Sequence, residues 1–430
     1  MLRPVARLWR SLFVTHRSLT AVVILFVSCI VIALSTGFWL TWRLAYVALV
    51  GVPVAYFWSR FNLVGIEVTP DRSADRLQEG GHFEERITIR NKSWFTKVWL
   101  EVDDPSEMPG HRAKRVVTVP ARGTKTWRAD SIVRRRGLYA VGPVEVTTGD
   151  PFGLFRVTRR FGRAQNVLVY PRAVDLPNFS VPAANLPGEG RFRRRTHYVT
   201  PNASGVRPYE FGDSFNRIHW KSTARTGELM VKLFELDPAS DIWIVLDMER
   251  GVHAGEGDES TEEYGVRVAA SVARYFLMAN RTVGFLSVGR QFDAEDAERG
   301  VQQYTRILED LAMARAWGDV PLADLLMGES RRFGRHTTVV VITPSTHESW
   351  VEAMGMLQQR GVKLAAILLE PSTFGAGEGS LGVFASLAAI DVFTYMVQRS
   401  DDLLTALGAA PPLEVPPSPP GRGDGRARDA

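Results

Sequence analysis

The chain has 430 residues, 45% of them hydrophobic, a formal net charge of +5 and a single cysteine. This is too apolar for a disordered chain, long enough for more than one domain, and it excludes an intrachain disulfide. The basic excess is almost all arginine, 45 Arg against 7 Lys. It is scattered and forms no recognition motif, so nucleic acid is not an expected partner and a basic nucleic-acid binder stands only as an alternative reading.

Residues 1–18 carry Arg3, Arg7, Arg10 and Arg17 and read as a cytoplasmic N-terminus. Two apolar runs fill 19–58. Residues 19–36 have no charge, and residues 38–58 have only Arg43. A bilayer core needs roughly 20 apolar residues as a helix, so the pair predicts a transmembrane hairpin turning at Gly37. The arginines before it and Arg60 after it place both ends in the cytoplasm. The expected location is a cell membrane, multi-pass, with the large domain cytoplasmic; an exported large domain is the rival topology. The first run is too long for the apolar region of a signal peptide. Cys29 lies within it, which fits a reducing compartment.

Residues 62–172 read as a β-sandwich. Short strands at 83–89, 97–102, 115–119, 124–132, 139–146 and 166–170 are separated by Gly, Pro, Asn and Asp. The alternation in the first of these is imperfect. Residues 173–200 are rich in Pro and Gly and read as a linker. Its basic run, 191–195, is solvated surface or a contact for membrane lipid headgroups. From 238 to 409 the rhythm becomes strand and helix in turn: strands at 242–246, 283–288, 337–343, 362–369 and 391–396, helices at 261–280, 301–317, 347–359 and 401–407. This alternation predicts a doubly wound parallel sheet. Residues 410–430 have the composition of a disordered tail.

The densest polar constellation is the segment 201–237. Asp213 is placed to cap a short helix, with Arg217 four and Lys221 eight residues on, so that a helix would align all three. Ile218 would face a core, and Gly227 would turn the chain into a strand at 229–234. Arg207, Tyr209, Asp213, Arg217, His219, Trp220, Lys221 and Arg225 are therefore candidates for one of two roles. They form either an interdomain clasp, with an Asp–Arg pair buried and Trp220 packed, or a partner-binding surface. Breaking a buried charge pair from one side costs about 3–5 kcal/mol, which makes retention for structure alone reasonable. A hydrolase using residues 213–225 is the enzymatic alternative. No phosphate-binding loop, H-E-x-x-H or G-x-S-x-G motif is present. His197, His219, His253, His336 and His347 have no metal-ligand spacing, and His253 reads as part of a polar loop.

Several of these residues carry a resemblance. Arg207-Pro208-Tyr209, Gly212-Asp213, Arg217-Ile218-His219-Trp220, Ala224-Arg225 and the strand beyond are similar to the bacterial family called domain of unknown function fifty-eight. The upstream Arg135-Arg136-Gly137-Leu138-Tyr139, Gly142-Pro143 and Asp150-Pro151-Phe152-Gly153-Leu154-Phe155 also match its pattern. The resemblance implies an α+β multidomain protein: a membrane hairpin, a β-sandwich, then an α/β domain like that of von Willebrand factor A. It also implies a MoxR-type AAA+ ATPase as partner, with other membrane proteins possible, and no assigned chemistry. A von Willebrand factor A domain holds Mg²⁺ through Asp-x-Ser-x-Ser after its first strand. Here the run is Asp247-Met248-Glu249-Arg250-Gly251, which keeps the Asp and lacks both serines, so no cofactor is expected. Asp247, Glu249 and Thr343 are left as candidates for a ligand crevice. The expected function is a non-enzymatic, membrane-anchored scaffold or adaptor.

Overall fold

Two consecutive helices open the structure, Arg17–Thr36 and Trp39–Phe61, joined through Gly37 in the left-handed region. The computed structural model describes residues 17–181, 203–210, 218–234, 241–289, 292–335, 337–376 and 378–408. The chain divides into two units, Met1–Pro171 and Arg172–Ala430.

Of the two helices, only Trp39–Phe61 is long and apolar enough to cross a membrane; the apolar helix Thr20–Thr36 before it is shorter. Two spans were expected, and among the described residues one helix, Trp39–Phe61, has the length and apolarity of a span. Both helices expose large apolar side chains such as Val27, Leu34, Val47 and Phe57. Their buried residues are small: Cys29, Ala33, Ala45, Ala55 and Ser59. Small side chains let two helix backbones approach closely where bulk apolar burial does not drive them together.

The second helix runs directly into β-structure. Asn62 Nδ2 donates to the Val98 carbonyl and to Thr148 Oγ1, both at 2.7 Å. Lys97, fully buried, donates from Nζ to the Phe61 carbonyl at 2.5 Å and lies 3.6 Å above the Phe95 ring. Tyr56 meets Phe155 edge-on at 5.4 Å.

Ten strands follow. β1 (Ile66–Arg72), β3 (His82–Asn91) and β6 (Thr124–Ile132) form one antiparallel sheet. β5 (Arg115–Val119), β4 (Lys97–Asp103), β8 (Val144–Gly149) and β9 (Arg156–Phe161) form a second. Side chains alternate across a strand, so each sheet sends one row inward. Ile66, Ile87, Ile89 and Trp127 meet Leu100, Val102, Val117, Val144 and Val146 in a shared core. A smaller sheet of β2 (Arg76–Gln78), β10 (Gln165–Tyr170) and β7 (Gly137–Val141) encloses Phe83, Met108, Val133, Val141, Val167 and Val169. The run expected as one strand at 139–146 is two, β7 and β8. The chain breaks at Gly142, whose φ of 83° takes it out of extended geometry.

The second unit begins with irregular chain at 172–181, which is more than a tether. Phe179 is 2% exposed and packs on Tyr275, Phe276 and Tyr395, while the Tyr395 hydroxyl donates to the Ser180 carbonyl at 2.8 Å. Burying one such ring contributes about 1.5–3 kcal/mol, enough to seat the segment. A two-stranded ladder follows, β11 (Ala203–Pro208) against β12 (Met230–Phe234).

The main sheet has six strands. β13 (Ile242–Leu246), β16 (Thr338–Thr343), β17 (Lys363–Leu369) and β18 (Phe393–Val397) lie parallel in that order. β14 (Val283–Val288) pairs parallel on the other side of β13, and β15 (Phe292–Glu298) adds an antiparallel edge. Counting from β13, the spatial order is 3-2-1-4-5-6, a doubly wound arrangement. Continuous burial of β13 and β16 explains their unbroken apolar runs. Helix Thr261–Met278 covers one face, capped by the Ser260 hydroxyl, which accepts from Glu263 N at 3.3 Å. On the other face Trp243, Phe333, Trp350, Met354 and Leu357 belong to one continuous core.

Candidate functional site

In a doubly wound sheet the strand order reverses at one point, and the crevice there is the usual ligand position. Here that point lies between β13 and β16. Asp247 follows β13 and Thr343 ends β16. Asp247 is 2% exposed. Its Oδ2 accepts from Thr343 Oγ1 at 2.6 Å, and its Oδ1 accepts from the Glu249 amide at 3.0 Å. Thr343 Oγ1 in turn accepts from Ser345 N at 2.9 Å. Burial pushes Asp247 up to about 6, against the lowering by Thr343 and the Glu249 amide; the Glu249 charge adds to the rise.

Asp247 and Thr343 thus come together, although they are far apart in sequence. Glu249 is half-buried and contributes its backbone to Asp247. His253 has a structural task beyond that of a polar loop. Its Nε2 lies 3.1 Å from the Asp247 carbonyl and its Nδ1 3.0 Å from Thr261 Oγ1, so the ring ties the strand end to the start of the helix. Sequence reasoning also missed Glu370, which follows β17 on the same edge. It accepts from Ser372 Oγ at 2.6 Å, Ser380 N at 3.1 Å and the Ser380 hydroxyl. Burial alone would raise its pKa, but these hydroxyls and amides hold it below the ordinary carboxylate value. Its position one residue past an apolar strand was the available signal.

An open cleft of about 570 Å³ lies on this edge, beside β14. Arg250, Val288, Phe292, Trp317, Asp319 and Val320 line it. Phe292 and Trp317 are each half exposed.

Of the motif segment the structure describes residues 203–210 and 218–234. Asp213 and Arg217 lie outside the described residues. The described helix is Trp220–Thr226, and its cap is His219, whose Nδ1 accepts from Ser222 N at 3.3 Å and lies 2.7 Å from Ser222 Oγ. Gly227, at a φ of 77°, ends it in the left-handed region that favours glycine. Thr223 Oγ1 accepts from Met230 N at 3.0 Å and fixes the helix to β12. Ile218 bridges to Val231, and both are buried. Because Ile218 takes the inward position, Trp220 faces out at 68% exposure and is not packed. Lys221 and Arg225 are exposed with it. Tyr209 is half-buried and bonded through its amide to the Leu229 carbonyl at 2.7 Å; Arg207 donates to the Pro208 carbonyl at 2.9 Å.

Several known proteins are similar to this chain, among them the following three. The uncharacterized protein YeaD of Bacillus subtilis is 25% identical over 301 residues, covering 68% of this chain and 73% of that one. The uncharacterized protein Rv1480 of Mycobacterium tuberculosis is 28% identical over 174 residues, or 38% of this chain and 54% of its own length. The crystal structure of the conserved hypothetical protein BatB from Bacteroides thetaiotaomicron aligns with 39% of this chain and 95% of that one, at 16% identity and a TM-score of 0.30, too slight a likeness to fix a fold. Residues 205–373 match the family described as protein of unknown function DUF58, from β11 through the edge that holds Asp247, Thr343 and Glu370. Through that match over residues 205–373 and the relationship to YeaD, the chain resembles the DUF58 family.

Proposed function

We propose that this protein is a membrane-anchored, non-enzymatic adaptor that presents its α/β unit to a MoxR-type AAA+ ATPase. The observation that carries this reading is the outward-facing Trp220, exposed with Lys221 and Arg225 at a fixed point between two strands of the family segment. Exposed Trp and Arg side chains on a rigid support are the residue types that dominate protein–protein hot spots. A clasp role for Trp220 is disfavoured by the same exposure.

The anchor in this reading is the helix Trp39–Phe61. At about 1.5 Å per residue it is about 34 Å long, which matches a hydrocarbon core of about 30 Å. Helix Arg17–Thr36 returns beside it as the first arm of a hairpin, with both soluble units on the cytoplasmic side. The α/β unit reads as von Willebrand factor A-like, supported by the strand order with an antiparallel third strand and by Asp247 at the switch point. A resident Mg²⁺ does not fit the donors there. Both Asp247 oxygens accept protein hydrogen bonds, and the positions of the two serines hold Glu249 and Gly251.

The test is a detergent-extracted pull-down of the native protein beside Trp220→Ala and Arg225→Ala, with folding checked by circular dichroism. Co-purification of an AAA+ ATPase with the wild type, lost in the folded variants, supports the adaptor. Equal recovery with the variants, or recovery with none of the proteins, refutes it.

A further inference from the structure

The inward row of β3 reads Phe83, Glu85, Ile87, Ile89, Asn91, and its second member is a carboxylate in a place for a hydrophobic side chain. Glu85 is fully buried. Beside it are Asp104, just past β4, and His111, in the loop between β4 and β5; both side chains are also sealed from solvent. A carboxylate in such a place is costly unless each oxygen has a partner.

Arg72 from β1 satisfies the outer oxygens only. Its Nε donates to Glu85 Oε1 at 3.1 Å and its Nη2 to Asp104 Oδ2 at 2.9 Å. Gly142 makes room for this, because a Cβ there would stand 2.6 Å from Arg72 Nη2. The inner atoms, Glu85 Oε2, Asp104 Oδ1 and His111 Nε2, have no hydrogen-bond partner among the described residues. Yet one ligand atom from each side chain lies within 4.8 Å of the others. His111 Nε2 and Glu85 Oε2 are 3.6 Å apart, too far for a hydrogen bond. Two donors each about 2.0–2.2 Å from one tetrahedral ion stand at nearly that separation.

We infer that Glu85, Asp104 and His111 form a binding site for a Zn²⁺-class divalent cation inside the first unit. The donor set, one imidazole nitrogen and two carboxylate oxygens, suits Zn²⁺ better than Mg²⁺, which needs an octahedral, largely hydrated shell. The second shell is in place. His111 Nδ1 lies 3.1 Å from Ser131 Oγ, and in the tautomer that donates to this hydroxyl the Nε2 lone pair faces inward. Arg72 orients both carboxylates and lowers the charge they bring. The ligands come from β3 and from the chain between β4 and β5, so bound metal would tie β3 to that connection at Asp104 and His111. Binding releases to solvent any proton that the carboxylate pair holds.

The test uses the full chain in mild detergent, stripped with chelator and titrated calorimetrically with ZnCl₂, with MgCl₂ as the control and CoCl₂ as the spectroscopic probe. One Zn²⁺ per chain, a raised unfolding midpoint and tetrahedral Co²⁺ absorption bands are expected. His111→Asn should lose stoichiometric binding, and Ser131→Ala should weaken it about tenfold. Zn²⁺ binding that persists unchanged in His111→Asn, or Mg²⁺ bound as well as Zn²⁺, overturns the assignment. Should the variants not fold, X-ray absorption of the Co²⁺-loaded wild type decides: a first shell of one imidazole and oxygen donors supports the site, and a shell of water alone overturns it.

Discussion

Replacing Asp247 by Asn tests the electrostatics of the switch point. The native carboxyl titrates at about 6 against an ordinary 3.8. The folded state therefore holds its proton more tightly than the unfolded state. Stability falls as pH rises through the window from 3.8 to 6 and is level above it. At 1.36 kcal/mol per unit, the ionised form costs about 3 kcal/mol relative to the protonated one. Asn carries no charge, so that cost disappears. The substitution also rearranges the hydrogen bonds of Thr343 and the Glu249 amide, at about 1 kcal/mol, but this loss is the same at every pH. The clean quantity is a difference of differences. Urea unfolding of the full chain in detergent, followed by tryptophan fluorescence at pH 4 and pH 7.5, should show the variant gaining about 2.4 kcal/mol on the wild type between the two conditions. Parallel pH profiles for the two proteins would refute the reasoning and mean that Asp247 ionises as an ordinary surface carboxylate.

Lys97 titrates in the opposite sense. Burial lowers it to about 8 from 10.5, so the folded state sheds its proton first and stability rises with pH across that window; Lys97→Met should flatten the rise in alkaline unfolding curves. Trp350→Ala empties the centre of the α/β core, where the ring is 1% exposed, and should cost about 3–5 kcal/mol in denaturant titration. Gly318→Ala would place a Cβ 2.2 Å from the Val288 carbonyl and 2.9 Å from that of Met248. The backbone shift this forces should cost about 1–3 kcal/mol, read as a lowered melting midpoint.

Much of the α/β unit is legible in the sequence because its central strands are buried on both faces. Their apolar runs stand out, as at 242–246 and 283–288, and a strand buried this way cannot be mistaken for surface. β15 was missed for the converse reason. Its sequence, Phe-Asp-Ala-Glu-Asp-Ala-Glu, belongs to an edge that faces water, and nothing in it is apolar enough to announce a strand. Helix ends were overrun in the same way: the helix expected through 317 stops at Met313, where the periodic pattern continues but the capping bonds do not. The site was legible in part. Asp247 and Thr343 were named through the resemblance to a von Willebrand factor A domain, but their bond to each other needed the fold. Glu85 was visible only as a flaw in an alternating strand. Its two companions lie 19 and 26 residues away with no spacing rule, and no sequence pattern could have assembled them.

The join at Phe61 has a mechanical outcome. Only residues 62–65 separate the end of the long helix from the first strand, and Asn62 and Lys97 pin that interval to the neighbouring strands. There is no slack to absorb rotation. A turn or tilt of the helix would therefore be passed to the strands that Asn62 and Lys97 hold.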